Sequence, residues 1–180
     1  GLAPIPLLVV LGALFTDKCA CRIYQLHREP TPSWEWVDGN DCIGFKIIEP
    51  TDKSGYPVLA LSLSDSIDHN RITKSISSKI SIWELTVDSP NNDLIKSEHH
   101  LSQFREKIKE CIVKIGQSHG KDNPILILPA IPVSCAIELG RIRMPKADGP
   151  WVIYDFNSTS GRFSPVINIH NVFSVITSGS

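Results

Sequence analysis

From residue 56 onward, apolar positions recur in two periods that alternate along the chain. Residues 58–63 (VLALSL) form a short, nearly continuous apolar run, the pattern of a parallel strand covered on both faces. Ser64-Asp65-Ser66 follows as a helix-start signal, ahead of a weakly amphipathic stretch with Ile67, Ile72 and Ile76. Residues 80–87 (ISIWELTV) are the next predicted strand and residues 88–93 a loop. Residues 97–119 are the clearest helix: Leu101, Phe104, Ile108, Ile112 and Ile115 fall at spacings of three and four and make one stripe. Glu110 precedes Lys114 by four on the polar side, the favourable order for a pair along a helix. Residues 116–124 end it in a run of helix breakers. Residues 125–128 (ILIL) are another buried strand. Pro129-Ala130-Ile131-Pro132 then turns the chain into a helix over 133–143, with Pro132 suited to its first position and Pro145 as its stop. Residues 151–155 and 163–169 are the last strands, joined by a polar turn. The crossovers are long enough to require parallel pairing. The predicted fold class is α/β: a Rossmann-like parallel sheet flanked by helices, with a smaller N-terminal subdomain.

The first 55 residues break this alternation. Residues 2–15 (LAPIPLLVVLGALF) are almost wholly apolar, yet the run is shorter than the roughly 20 residues of a membrane-spanning helix. It has two prolines near its start and no basic flank or initiating Met. It is expected as a buried strand and turn, with a membrane-proximal segment as the second reading. Residues 22–26 and 42–48 are expected strands around the Pro/Trp-rich loop 30–40 (PTPSWEWVDGN). The expected division is a small or incomplete subdomain over 1–55 and a Rossmann-like unit over 56–180. A start at Gly1 reads as a fragment of a longer chain.

Charge narrows the function classes. Lys and Arg number 18 against 19 Asp and Glu, a net charge of −1. A protein that grips long DNA or RNA usually shows a basic stripe, so no long nucleic acid is expected as a partner. A small anion held by one or two cations and some backbone amides fits this balance. The five cysteines, Cys19, Cys21, Cys42, Cys111 and Cys135, are odd in number and lack framework spacing, which points to a reducing, cytoplasmic setting. Cys111 and Cys135 sit in apolar helical patterns, where a thiol acts as a small hydrophobe. Cys19, Cys21, Cys42 and His27 are a conceivable zinc set, but no second paired motif supports it, and no metal or cofactor is expected.

In an open parallel sheet, ligands bind beyond the carboxyl ends of the strands. Two loops qualify: Ser62-Leu63-Ser64-Asp65, and Pro129-Ala130-Ile131-Pro132-Val133-Ser134. Each brings small side chains and amides to a predicted helix N-terminus, a setting for phosphate or ribose. The plainer alternative is that Ser64, Asp65 and Ser134 only cap helices. GxGxxG and GxxxxGK[ST] are both absent, which argues against a dinucleotide cofactor and NTP hydrolysis. Ser134 with a histidine would make a small α/β hydrolase the alternative function, though there is no GxSxG elbow. Lys146, between a helix stop and a strand, is a candidate phosphate cation. Trp34 and Trp36 alternate on the proline-rich loop and are candidates for one base-stacking platform; otherwise they plug an interface. His99 and His100 are expected on the surface.

Residues 125–146 (ILILPAIPVSCAIELGRIRMPK) followed by 151–155 (WVIYD) resemble the SAVED domain family. Its recurring pattern is a buried strand, a Pro-Ala-Leu/Ile-Pro turn, a small-residue helix with Glu-Leu-Gly, a Met/Leu-Pro-Lys and an aromatic strand. Residues 58–65 (VLALSLSD) resemble its earlier strand and Ser-rich loop, so the likeness covers about residues 55–170. The resemblance implies a sensor and not an enzyme. SAVED domains are ligand-binding modules of bacterial CBASS antiphage effectors, built of two fused Rossmann-like units similar to CARF sensors. They bind a cyclic di- or trinucleotide made by a cognate nucleotidyltransferase. Binding drives self-association that switches on a fused effector: a nuclease, TIR domain, protease or transmembrane segment. The effector is expected to be missing from this chain, with a membrane partner only for the transmembrane type. Matched by position, Ser62, Ser64 and Asp65 correspond to the first binding loop, Pro129, Ala130 and Pro132 to the second, and Lys146 to the Pro-Lys. A complete first unit does not fit in 55 residues, which leaves the role of Trp34 and Trp36 open.

Overall fold

The computed structural model describes residues 3–16, 18–39, 41–145 and 147–170. Among these residues six strands form one sheet: β1 (Lys46–Ile48), β2 (Tyr56–Ser62), β3 (Ile80–Thr86), β4 (Ile125–Ala130), β5 (Trp151–Asn157) and β6 (Arg162–Ile169). Their spatial order is β1-β3-β2-β4-β5-β6. The four central strands are parallel, while β1 and β6 run antiparallel at the two edges. Among the described residues four helices accompany them: α1 (Ile5–Phe15), α2 (His69–Ser75), α3 (Glu98–His119) and α4 (Val133–Arg141).

The strand period of two sorts β2 cleanly. Leu59, Leu61 and Leu63 join Trp83, Leu85, Ile127 and Ile153 in a core covered by α1, α3 and α4. Val58 and Ala60 face the other way, into a smaller cluster with Ile72, Ile76, Leu126 and Leu128. The predicted stripe of α3 is the buried one, and Ser97 caps that helix by accepting the His100 N–H at 3.2 Å. Glu110 and Lys114 form the expected pair at 3.4 Å. His100 departs from expectation: it is buried, because it lies one turn from Phe104 on the core side.

The N-terminal part corrects the sequence reading most. Residues 5–15 are a helix, not a strand and turn. Pro4 and Pro6 sit in its opening positions, where no intrahelical N–H is needed. The helix is apolar all round, and it places Leu8, Val9 and Ala13 in the same core as the sheet. Among the described residues no helix is long and apolar enough to cross a membrane. Residues 22–26 form no regular secondary structure, and of residues 42–48 only β1 joins the sheet. The helix after β2 also starts later than expected. Asp68, not the Ser64-Asp65-Ser66 run, is the cap of α2, accepting the Asn70 N–H at 2.9 Å. Finally, α4 stops at Arg141, two residues short of the predicted end.

Candidate ligand-binding cleft

The loops leaving β2 and β4 meet because those strands pair in parallel with Ser62 opposite Ala130. The Ala130 carbonyl accepts the N–H groups of both Leu63 and Ser64, at 2.9 and 2.8 Å, which lays the first loop on the second. The Leu63 carbonyl in turn accepts the Asn91 N–H at 2.9 Å and draws in the loop after β3. The chain passes from β2 to β3 on one side and then returns to β4 on the other. A crevice opens at such a switch point. Here it has a volume of about 310 Å³, at the small end for ligand sites. Pro129 to Pro132 form its floor, Ser64 and Asp65 one wall, and Asn92 and Asp93 another. The remaining side comes from the first 35 residues: Ile5, Gln25, Leu26, Arg28 and Trp34.

Six of the sequence-predicted residues therefore line one cleft: Ser64, Asp65, Pro129, Ala130, Pro132 and Trp34. Ser62, Ser134 and Trp36 do not. The period of two on β2 turns Ser62 toward α2, where its hydroxyl donates to Glu84 Oε1 at 2.5 Å and accepts the Ile67 N–H at 3.3 Å. Glu84 Oε2 pairs with His69 Nε2 at 2.8 Å. Ser134 lies inside α4 and is fully buried, and its Oγ has no partner among the described residues. Trp34 and Trp36 do not share a face, because residues 34–36 are not a strand. Trp34 is 52% exposed at the cleft. Trp36 stacks on Tyr24 at 6.3 Å between ring centres, meets His27 edge-on at 5.8 Å and packs against the main core. Lys146 lies outside the described residues.

The loop amides are less available than the sequence implied. The Leu63 and Ser64 N–H groups serve Ala130, and the Ser134 N–H donates to Gln25 Oε1 at 3.1 Å. The Gln25 side chain thus caps α4 from a position 109 residues away. Among the described residues the charged side chains at the cleft are Arg28, Asp65 and Asp93. Arg28 and Trp34 reach it together because His27 and Ser33 exchange backbone hydrogen bonds of 2.8 and 3.0 Å, closing the loop between them. Sequence reasoning missed Gln25 and Arg28. The only signal for Arg28 was a cation beside the tryptophan loop; nothing local announced Gln25.

Chemically, an exposed indole and a guanidinium offer a stacking surface and a phosphate partner, and the carboxylates accept hydrogen bonds from a base. A serine nucleophile would need an imidazole at its hydroxyl. Ser134 has none among the described residues, and Ser62 donates to a carboxylate instead. Among the described residues no three His, Cys, Asp or Glu side chains gather as a metal site. Cys19 and Cys42 are exposed and Cys21 half-buried, while Cys111 and Cys135 lie in the core.

An open α/β sheet with a small polar-and-aromatic cleft at its switch point defines a Rossmann-like ligand-binding module. The model of the SAVED family, the SMODS-associated and fused to various effectors sensor domain, matches residues 1–169, and the chain belongs to that family. The match takes in the N-terminal segment as well as the region after residue 55. No curated protein matches the chain. Its fold is similar to the Acinetobacter baumannii Cap4 SAVED/CARF-domain containing receptor with the cyclic trinucleotide 2′3′3′-cAAA: TM-score 0.68 at 13% identity, over 93% of this chain and 37% of that one. The same receptor with 3′3′3′-cAAA gives a TM-score of 0.66 at 15% identity, over 91% and 36%. A third structure of that receptor gives 0.64 at 14%, over 93% and 34%. At this identity the likeness concerns the fold, and the chain spans little more than a third of the receptor's length.

Proposed function

We propose that this chain senses a cyclic di- or trinucleotide in the cleft between β2 and β4. The observation that carries the reading is that exposed Trp34 and Arg28 line one cleft with residues 129–132, in a member of a sensor family. A cyclic oligonucleotide carries one negative charge per phosphate. A guanidinium answers that charge, and a base stacks on an indole in a sequence-tolerant way. The cyclic trinucleotides in the Acinetobacter receptor structures support the ligand class. Lys146 enters as a second cation on its place in Met144-Pro145-Lys146 alone. The ligand would come from a cognate nucleotidyltransferase of a bacterial CBASS antiphage system acting in the cytoplasm. Occupancy would drive self-association and so switch on an effector fused to the sensor.

The test is a thermal-shift screen against cyclic di- and trinucleotides of 3′3′ and 2′3′ linkage. A cognate ring raises the melting temperature in a concentration-dependent way, as any ligand selective for the native state must. If no ring moves the transition and none binds in calorimetry, the proposal falls. Light scattering of a longer form carrying an effector should then show a ligand-dependent rise in mass.

A further inference from the structure

We infer that the cleft continues into a second base subsite, formed by Arg71, Tyr154, Asp155 and Phe156, so that the ligand is held through at least two of its bases. This rests on the cyclic-nucleotide reading and states where the second base lies. A hollow of about 180 Å³ adjoins the cleft and shares Asp65, Pro129 and Ala130 with it. Those three residues form a ridge with a depression on each side. A ring lying over the ridge reaches both, whereas a single nucleotide fills one.

The hollow repeats the chemistry of the cleft with different elements. Phe156 is 39% exposed, and Phe163 supports it from β6 at 5.2 Å between ring centres. The Arg71 guanidinium, from α2, lies over that ring at 5.5 Å. Arg71 and Phe156 thus correspond to Arg28 and Trp34 across the ridge. Arg71 is exposed, so its side chain can turn to a linking phosphate as a base takes its place on the ring. Tyr154 lines the inner side, and burial pushes its phenol above the usual range, which keeps it a neutral hydroxyl.

The carboxylates decide which base suits this place. Asp65, Asp68 and Asp155 each accept one backbone N–H through Oδ1, from Ser66, Asn70 and Phe156 at 2.8, 2.9 and 2.9 Å. Among the described residues their second oxygens accept no hydrogen bond, which leaves them for an outside donor. Three carboxylates lining the same hollow disfavour a phosphate inside it and favour exocyclic amino N–H groups, which uracil lacks. The subsite therefore takes an amino-bearing base: adenine, guanine or cytosine in preference to uracil.

The experiment measures calorimetric affinity for the ring that gives the largest thermal shift among 2′3′3′-cAAA, 3′3′3′-cAAA, cyclic di-adenylate, cyclic di-guanylate and an all-uridine trinucleotide. Phe156→Ala and Arg71→Ala should each weaken binding about tenfold or more, as loss of one stacked or charge-paired contact predicts. Thr159→Ala, in the turn between β5 and β6, should leave affinity within about twofold and controls for damage to the hairpin. The all-uridine ring should bind more weakly than 3′3′3′-cAAA. If both pocket variants bind like the wild type while Trp34→Ala loses affinity, the subsite is refuted and the sensor reading stands. If the wild type binds no ring, both fall together.

Discussion

Gly12 and Gly140 face one another where α1 crosses α4, each occupied by the other helix's backbone where a side chain would be. A Cβ on Gly12 would lie 1.9 Å from the Ile137 carbonyl oxygen, and a Cβ on Gly140 would lie 1.9 Å from that of Val9. The obstructing atoms are main chain, so a side chain there forces the helices apart. Gly140→Ala is expected to cost about 3 kcal/mol, the upper part of the range for overpacking. Urea denaturation measures it; a loss below about 0.5 kcal/mol would mean that the helices do not approach so closely. The crossing matters for the cleft because Ile5 and Val133, at the starts of these helices, both line it.

Gln25 supplies the acceptor that α4 lacks locally, since Pro132 offers no side-chain cap. Gln25→Ala should destabilise by about 1 kcal/mol, the scale of a lost N-cap. Gln25→Glu keeps the acceptor and places negative charge at the positive end of the helix, so it should retain most of the stability. Thermal melts of the pair check this: equal losses would show that the hydrogen bond contributes nothing.

Trp34 and Arg28 are exposed and not part of the core, so replacing them should separate binding from folding. Trp34→Ala and Arg28→Ala should each leave stability within about 0.5 kcal/mol of wild type. Each should weaken cyclic-nucleotide binding about tenfold. Unchanged affinity in both variants would move the ligand out of this cleft. Lys146→Ala, judged from the sequence motif, should weaken binding by a similar factor.

Burial pushes the Cys111 thiol from its usual 9.0 up to about 12, and Cys135, buried in the same core, is also raised well above 9.0. The folded state holds these protons more tightly than the unfolded chain. Stability contributed in this way is complete below about pH 9 and is lost as pH climbs from there toward 12. Melting temperature should accordingly fall across that alkaline window, and Cys111→Ala should flatten part of the slope. At pH 8 a thiol reagent should reach Cys19 and Cys42 in the folded protein, and Cys111 and Cys135 only after unfolding. Reaction of all five at equal rates would contradict the packing.

How much of this was legible varied with the range of the interactions involved. The stripe of α3 and the runs of β2, β3 and β4 were readable because their periods match the geometry of helix and strand. The pairing of the two loops followed from β2 and β4 being neighbours. Residues 5–15 were not readable: a continuous apolar run has no period to separate strand from helix, and what settles it is the fit of Gly12 against α4. Ser62 and Ser64 look alike in sequence, but the strand period sends one to Glu84 and leaves the other at the cleft. Trp34 and Trp36 parted because an unpaired segment has no obligation to alternate.

By itself, the sequence determined the central α/β alternation, the near-neutral charge that suits a small anion over a polymer, and the two loops at the strand ends. Those are properties of local periodicity and composition. Only the tertiary structure decided what completes the cleft. Gln25, Arg28 and Trp34 arrive from a segment without regular secondary structure, and Gln25 finds its partner 109 residues away. No local pattern encodes such a contact, because its energy comes from burial and from a hydrogen bond that exists only once the segment carrying Gln25 has packed on the start of α4.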